Sequence, residues 1–173
     1  MIPCSPLYPW YAVQVRTRRE LSVARLLADR EYEPFVPLHP AQPRSQRGGD
    51  TTPLFPGYIF CRIDLANRTV PVVSTPGVIR LIGIGPTPAS IPEDEIQALK
   101  RVLASGLPSE SVHLEVGQIV RIAVGPLAGT EGVLCRMKDK DRLMVAVTIL
   151  NRAVSVEIEA SWARPVSKTS TVH

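Results

Sequence analysis

The residues of this 173-residue chain that could do chemistry are three histidines, three cysteines and a run of three carboxylates, and their placement argues against it. His39, His113 and His173 are isolated from one another, in what read as a loop, a linker and a tail, so no histidine cluster or dyad is expected. Cys4, Cys61 and Cys135 are odd in number and widely spaced, which suits neither a disulfide framework nor a four-ligand zinc site and fits a reducing compartment. Glu93, Asp94 and Glu95 are consecutive at the start of a helix, where carboxylates complement the dipole better than they do acid-base work. No catalytic residue, metal or cofactor is expected, and the chain does not read as an enzyme. What stands out instead is a binding surface. Phe55, Tyr58 and Phe60 fall within six residues around Pro56 and Gly57, where proline fixes the backbone and glycine leaves room for a close approach. Alternation along a strand puts Tyr58 and Phe60 on one sheet face.

The elements that must hold these rings follow from the pattern on either side. Residues 10–16 read as a strand, after which Thr17 and Glu20 have the spacing of a capping box. The helix it opens would place Leu21, Ala24, Leu27 and Ala28 on one apolar stripe and end near Arg30, before a second strand through Phe35 and Val36. Residues 39–53, rich in Pro, Gln, Arg, Gly and Thr, read as an exposed loop or hairpin tip. Strands are predicted over 58–63 and 78–84, with a short helix over 69–74 between them. Ser90 and Glu93 form a second capping box, opening a helix with Ile96, Leu99, Val102 and Leu103 on one face that stops at Gly106 and Pro108. Residues 106–114 lack a sustained apolar period and read as a flexible linker. Beyond Gln118 the period becomes two, through Val120, Ile122, Val133, Val145, Val147, Ile149, Val154, Val156 and Ile158, which predicts a small β-barrel. The domains are thus residues 8–105, α+β with an antiparallel sheet and helices on one side, and residues 115–166, all β.

Composition leaves the partner open. The formal charge of +4 is scattered, with no basic tract, and no stretch approaches the ~18 apolar residues of a membrane span. A cytoplasmic protein with no membrane contact is expected.

Several motifs, in order, resemble those of the NusG family. Trp10-Tyr11, Phe55-Pro56-Gly57-Tyr58, Thr75-Pro76-Gly77-Val78 and Pro92-Glu93-Asp94-Glu95 are similar to its N-terminal (NGN) domain. Val120-Arg121-Ile122, Gly125-Pro126-Leu127-Ala128-Gly129 and Glu131-Gly132-Val133 are similar to the KOW motif, in which Gly125, Pro126, Gly129 and Gly132 shape the turns. The resemblance implies a ferredoxin-like NGN domain followed by an SH3-like KOW barrel, in a monomeric factor of transcription elongation or antitermination. It implies that Phe55, Pro56, Tyr58, Phe60, Ile96 and Leu99 form a pocket for the clamp helices of the largest RNA polymerase subunit, while Arg68 and Thr69 reach the second-largest subunit. Bridging the cleft in this way would keep the clamp closed and resist pausing.

Ile149, Leu150, Asn151 and Arg152 match the segment through which KOW domains of the family recruit a ribosomal protein or Rho. Typical members read Ile-Phe-Gly-Arg there. The departures at Leu150 and Asn151 look more like the operon-specific RfaH and UpxY types, some of which read non-template DNA with basic residues. In this chain those residues would be Arg16, Arg18 and Arg19, whose guanidinium groups suit phosphates and base edges. A KOW-containing ribosomal or translation-associated RNA-binding protein is the alternative. It would need a strongly basic barrel, whereas residues 106–173 hold eight Lys plus Arg against seven Asp plus Glu. The β-branched window from Leu143 to Ile158 predicts a permanent barrel that does not refold as a helical hairpin, leaving the pocket uncovered.

Overall fold

The computed structural model describes residues 8–39, 51–113, 117–137 and 139–166. Strand β1 (Trp10–Val15) leads into helix α1 (Glu20–Asp29), and β2 (Glu33–Phe35) and β3 (Tyr58–Arg62) follow, flanking the 39–53 segment. Of that segment, residues 40–50 lie outside the described residues. Its legs are clasped by His39 N–H donating to Thr52 O at 2.8 Å and Leu54 N–H to Pro37 O at 2.8 Å, as hairpin legs would be. Next come α2 (Thr69–Val73), β4 (Val78–Leu81), a two-stranded hairpin of β5 (Gly83–Ile84) with β6 (Thr87–Pro88), β7 (Ser90–Ile91) and α3 (Glu93–Ala104). The sheet runs β2-β3-β1-β4, all antiparallel, with β7 continuing beside β1. This is the order of a ferredoxin-like split β-α-β pair.

Period two divides the core. Trp10 and Ala12 of β1 lie with Phe60 and with Ile96, Leu99 and Val102 of α3, while Tyr11, Val13 and Val15 lie with Ile59, Cys61, Val23, Leu27 and Val72. The helices therefore occupy both faces of the sheet, where the sequence pattern had them on one. α1 and α2 cover one face. α3 follows the short strand at the far end of β1, so its apolar stripe covers the face that carries Trp10 and Phe60. In α1 the buried positions are Glu20, Val23 and Leu27, and Leu21 is 40% exposed, so the helix is rotated from the expected stripe.

Neither capping box forms. The residues preceding the two helices are Arg19 and Pro92, and neither helix has a side-chain cap. Both glutamates are spent elsewhere. Glu20 accepts from Gly57 N–H, and Glu93 accepts from Gln97 and pairs with Arg62, whose guanidinium also pairs with Glu33 at 3.0 Å. That guanidinium lies 4.5 Å from the Trp10 ring centroid, so the charge of a buried cation is balanced by two carboxylates and a π face.

Residues 106–114, predicted as linker, contribute a strand. β8 (Ser109–His113) pairs with β12 (Arg152–Glu157) along its whole length, at the end of a six-stranded antiparallel sheet. The order is β13 (Ala163–Pro165), β9 (Gln118–Ile122), β10 (Glu131–Met137), β11 (Lys140–Val147), β12 and β8. The polar side chains that hid this strand hold it: Glu110 meets Arg142 at 3.1 Å and Ser111 accepts from Arg152 at 3.1 Å. Of the expected period-two positions Val120, Ile122, Val145, Val147, Val154, Val156 and Ile158 are buried, whereas Val133 is only half-buried because β10 turns Leu134 toward the core. Leu143, Met144, Ala153 and Ser155 are buried as well, so β11 and β12 are covered on both faces over these residues. Gly132 is where β10 passes closest to β11. A Cβ there would lie 2.5 Å from Met144 O, so only glycine fits.

Candidate functional site

The Phe55–Tyr58 turn is set on a ring stack. Phe55 and Phe60 meet edge to face at 5.9 Å, Phe60 and Phe35 lie 6.1 Å apart, and Trp10 closes on Phe35 at 6.4 Å. Four rings fixed this way give a rigid floor. Phe55 is 2% exposed, while Phe60, Ile96 and Leu99 are fully buried. Of the six residues predicted to form the pocket, these four build its foundation. Only Pro56, which is exposed, and Tyr58, which is partly exposed, reach the surface.

Backbone bonds fix the turn's shape. Tyr58 N–H donates to Phe55 O at 3.0 Å, and Gly57 adopts φ +84°, a left-handed conformation that disfavours any side chain. Gly57 O accepts from Val15 N–H at 2.8 Å.

Above this floor lies part of the barrel. Phe55, Pro56, Tyr58, Leu150 and Arg152 together line a cavity of about 370 Å³, so the surface expected to stay uncovered is shared with the second domain. The barrel reaches it while remaining strand, through the turn Thr148–Leu150 between β11 and β12 and not by refolding as helix. Asn151 ends this turn in the left-handed region at φ 50°, which asparagine tolerates better than most residues. Thr148 Oγ1–H donates to Glu95 Oε1 at 2.6 Å and Thr148 N–H to Glu95 Oε2 at 3.2 Å, tying the turn to α3. A second cleft, about 290 Å³, runs between α3 and the barrel, with Asp94, Ala98 and Arg101 opposite Ile119, Glu131 and Met144. The side chain of Ile149 lies outside the described residues.

Arg16, Arg18 and Arg19 are all exposed at the β1–α1 corner, and none pairs with a carboxylate among the described residues. Arg19 N–H donates to Arg16 O at 3.0 Å, and Arg18 is left-handed at φ 69°. Arg68 and Thr69 are turned inward. The Arg68 guanidinium sits 4.4 Å from the Tyr32 ring centroid and donates to Arg30 O at 2.6 Å, and Thr69 Oγ1 donates to Leu65 O at 2.7 Å. What α2 offers outward is apolar: Val70 is 73% exposed and Val73 44%. Sequence reasoning passed over these two valines because a five-residue helix is too short to show an amphipathic period.

In the barrel, Gly125, Pro126 and Gly129 form the β9–β10 turn, where Gly129 N–H donates to Ile122 O at 2.8 Å. Among the described residues no three His, Cys, Asp or Glu side chains gather to hold a metal ion. No described helix is long and apolar enough to cross a membrane.

Comparison with known proteins gives the same assignment from several sides. Residues 8–100 match the family described as "Transcription termination factor nusG". The chain is 32% identical over 173 residues to the transcription termination/antitermination protein NusG of Pseudomonas aeruginosa, covering 91% of this chain and 98% of that one. To the protein of the same name from Thermus thermophilus it is 28% identical over 177 residues, covering 88% and 95%. A solved structure titled "Domain interaction in Thermotoga maritima NusG" shares the fold, with TM-score 0.55 at 23% identity over 92% of this chain and 97% of that one. The chain belongs to the NusG family of transcription factors and is not an enzyme.

Proposed function

We propose that the chain is an elongation and antitermination factor that binds RNA polymerase through the Phe55–Tyr58 turn. The observation that carries this reading is the pairing of a rigid aromatic floor with one ring, Tyr58, left partly exposed beside Pro56. A preorganised aromatic of this kind anchors a helix laid in a groove at little entropic cost. The partner in this reading is the coiled-coil clamp of the largest polymerase subunit. The exposed Val70 and Val73 would face the second-largest subunit across the cleft, with Arg68 and Thr69 holding α2 in place from within. Arg16, Arg18 and Arg19, exposed at the same end of β1 as the turn and without a carboxylate partner among the described residues, suit phosphates of non-template DNA.

The barrel carries the remaining contact. The segment Ile149, Leu150, Asn151 and Arg152 would take a ribosomal protein or Rho. Leu150 and Arg152 line the cavity over Tyr58, so neither surface is available while the two domains stay packed. Polymerase binding then requires the barrel to leave α3, and a partner that takes Leu150 favours that opening by mass action. The test is binding of the purified full chain and of Tyr58→Ala to RNA polymerase. Equal affinity, with normal folding of the variant, would remove the turn from the contact.

A further inference from the structure

Glu20 is 3% exposed at the first position of α1, a place where a carboxylate ordinarily faces water. Three arginines precede it, yet no arginine pairs with it among the described residues. Its Oε1 instead accepts the Gly57 N–H at 2.7 Å, 37 residues away. The same glycine's carbonyl accepts from Val15 N–H at 2.8 Å, and the next residue, Arg16, donates its N–H to Gly77 O at 2.8 Å. Two Pro-Gly turns are thereby fastened to consecutive residues, Val15 and Arg16, where β1 runs into the arginine corner, and one of them carries the polymerase contact proposed above. A buried backbone N–H in a left-handed turn has few alternative partners, so an acceptor oxygen at the right reach is what it needs.

We propose that Glu20 is a positioning residue for polymerase binding: it fixes the Phe55–Tyr58 turn to the Arg16–Arg19 corner, so that Tyr58 and the arginines present one rigid surface. The binding role rests on the reading of that turn as the polymerase contact. A turn that must be ordered at the moment of binding loses affinity without losing any contact, because the ordering is then subtracted from the binding free energy. Glutamine keeps an acceptor oxygen at the same reach. Alanine removes it, and aspartate draws it back by one methylene.

Two measurements on the full chain decide this. Hydrogen exchange at the Gly57 amide reads the bond directly: it should be slow in the parent and in Glu20→Gln, and faster by about tenfold or more in Glu20→Ala and Glu20→Asp. Affinity for RNA polymerase should fall roughly tenfold in the Ala and Asp variants and be restored in Glu20→Gln. If Glu20→Ala does not fold, Glu20→Asp, which keeps the charge, carries both readings. Slow Gly57 exchange in the Ala or Asp variant overturns the proposal. So does fast exchange with unchanged polymerase affinity where Tyr58→Ala does lose affinity. Should Tyr58→Ala also bind normally, the turn is not the contact, and the binding role of Glu20 falls with it while the exchange result still reports the bond.

Discussion

Two turns meet in this molecule, and they are held in opposite ways. The Phe55–Tyr58 turn is tied down from beneath by the Val15 and Glu20 bonds to Gly57 and by the packed rings of Phe55, Phe60 and Phe35. The Thr148–Leu150 turn closes on itself through Asn151 N–H donating to Thr148 O at 3.0 Å, and among the described residues its hydrogen bonds across to α3 are the two exposed ones to Glu95. Exposed hydrogen bonds compete with water on both partners and contribute less than buried ones. In the proposed opening, the first turn is therefore the fixed half of the interface and the second is the half that leaves. Opening should release the barrel as a folded unit while the pocket keeps its shape.

The most disruptive test of that contrast is to attack the floor itself. Leu99 lies fully buried on α3 beneath the pocket. Leu99→Ala is expected to cost about 3 kcal/mol of stability, as large-to-small changes in packed cores do, and to shift the denaturation midpoint accordingly. If instead stability is unchanged and only polymerase affinity drops, Leu99 is part of the contact surface and the floor is less rigid than its packing implies.

Tyr58→Ala should have the opposite profile. The side chain is partly exposed, so stability should change little, while polymerase affinity falls by about 2 kcal/mol, roughly 30-fold. A melting temperature that drops as far as that of Leu99→Ala would mark Tyr58 as core and erase the distinction between the ring that binds and the rings that support it.

These two expectations also show where the sequence was legible. Period two exposed β1, β3, β9, β11 and β12, and of the expected α3 stripe Ile96, Leu99 and Val102 are buried and Leu103 half-buried, because burial on one face writes itself into local spacing. What local spacing hid were side chains whose partners are distant in sequence. Thr17 with Glu20 and Ser90 with Glu93 have capping-box spacing. Yet the Arg16–Arg19 turn starts α1 at Glu20 itself, and Pro92 precedes α3, so both carboxylates were available to Gly57 and Arg62. Ser109–His113 looked like linker because an edge strand needs no apolar period when its neighbour supplies the ladder. The cover over Tyr58 was missed for another reason. A β-branched window excludes a helical hairpin but says nothing of whether an intact barrel docks on the same surface.

A gentler change should open the moving half alone. Thr148→Val removes the hydroxyl bond to Glu95 while keeping the shape of the side chain and the backbone bond. A loss of about 1 kcal/mol from the closed arrangement would raise apparent polymerase affinity by up to about fivefold, since binding would no longer oppose that contact. Contacts between residues 95 and 148, followed by NMR, should weaken in parallel, with the barrel's own resonances unchanged. An affinity that falls would mean that the packed arrangement is the one polymerase selects.

The smallest effect expected separates two carboxylates that stand two residues apart on α3. Glu95 serves the barrel contact, whereas Glu93 serves the scaffold, through Arg62 at 2.8 Å and Gln97 at 2.8 Å. Burial pushes the Glu93 carboxyl upward, but the hydrogen bonds from Gln97 and Arg62 and the charge of Arg62 outweigh it and hold the group below its usual range. A carboxyl lowered by folding contributes stability that is fully present above its unfolded value, about 4.5, and is lost as pH falls through the lower folded one. The side chain is half exposed, so water screens the pair and the contribution is small. The measurement is a difference. Melting temperatures of the parent and of Glu93→Gln, taken from pH 6 to pH 3, should be separated at the upper end and converge toward the lower. A constant separation would mean that Glu93 acts through packing and not through its charge. Convergence accompanied by loss of the 95–148 contact in the parent would show that the scaffold and the moving turn are linked along α3, and that the fixed half of the interface is not independent of the half that leaves.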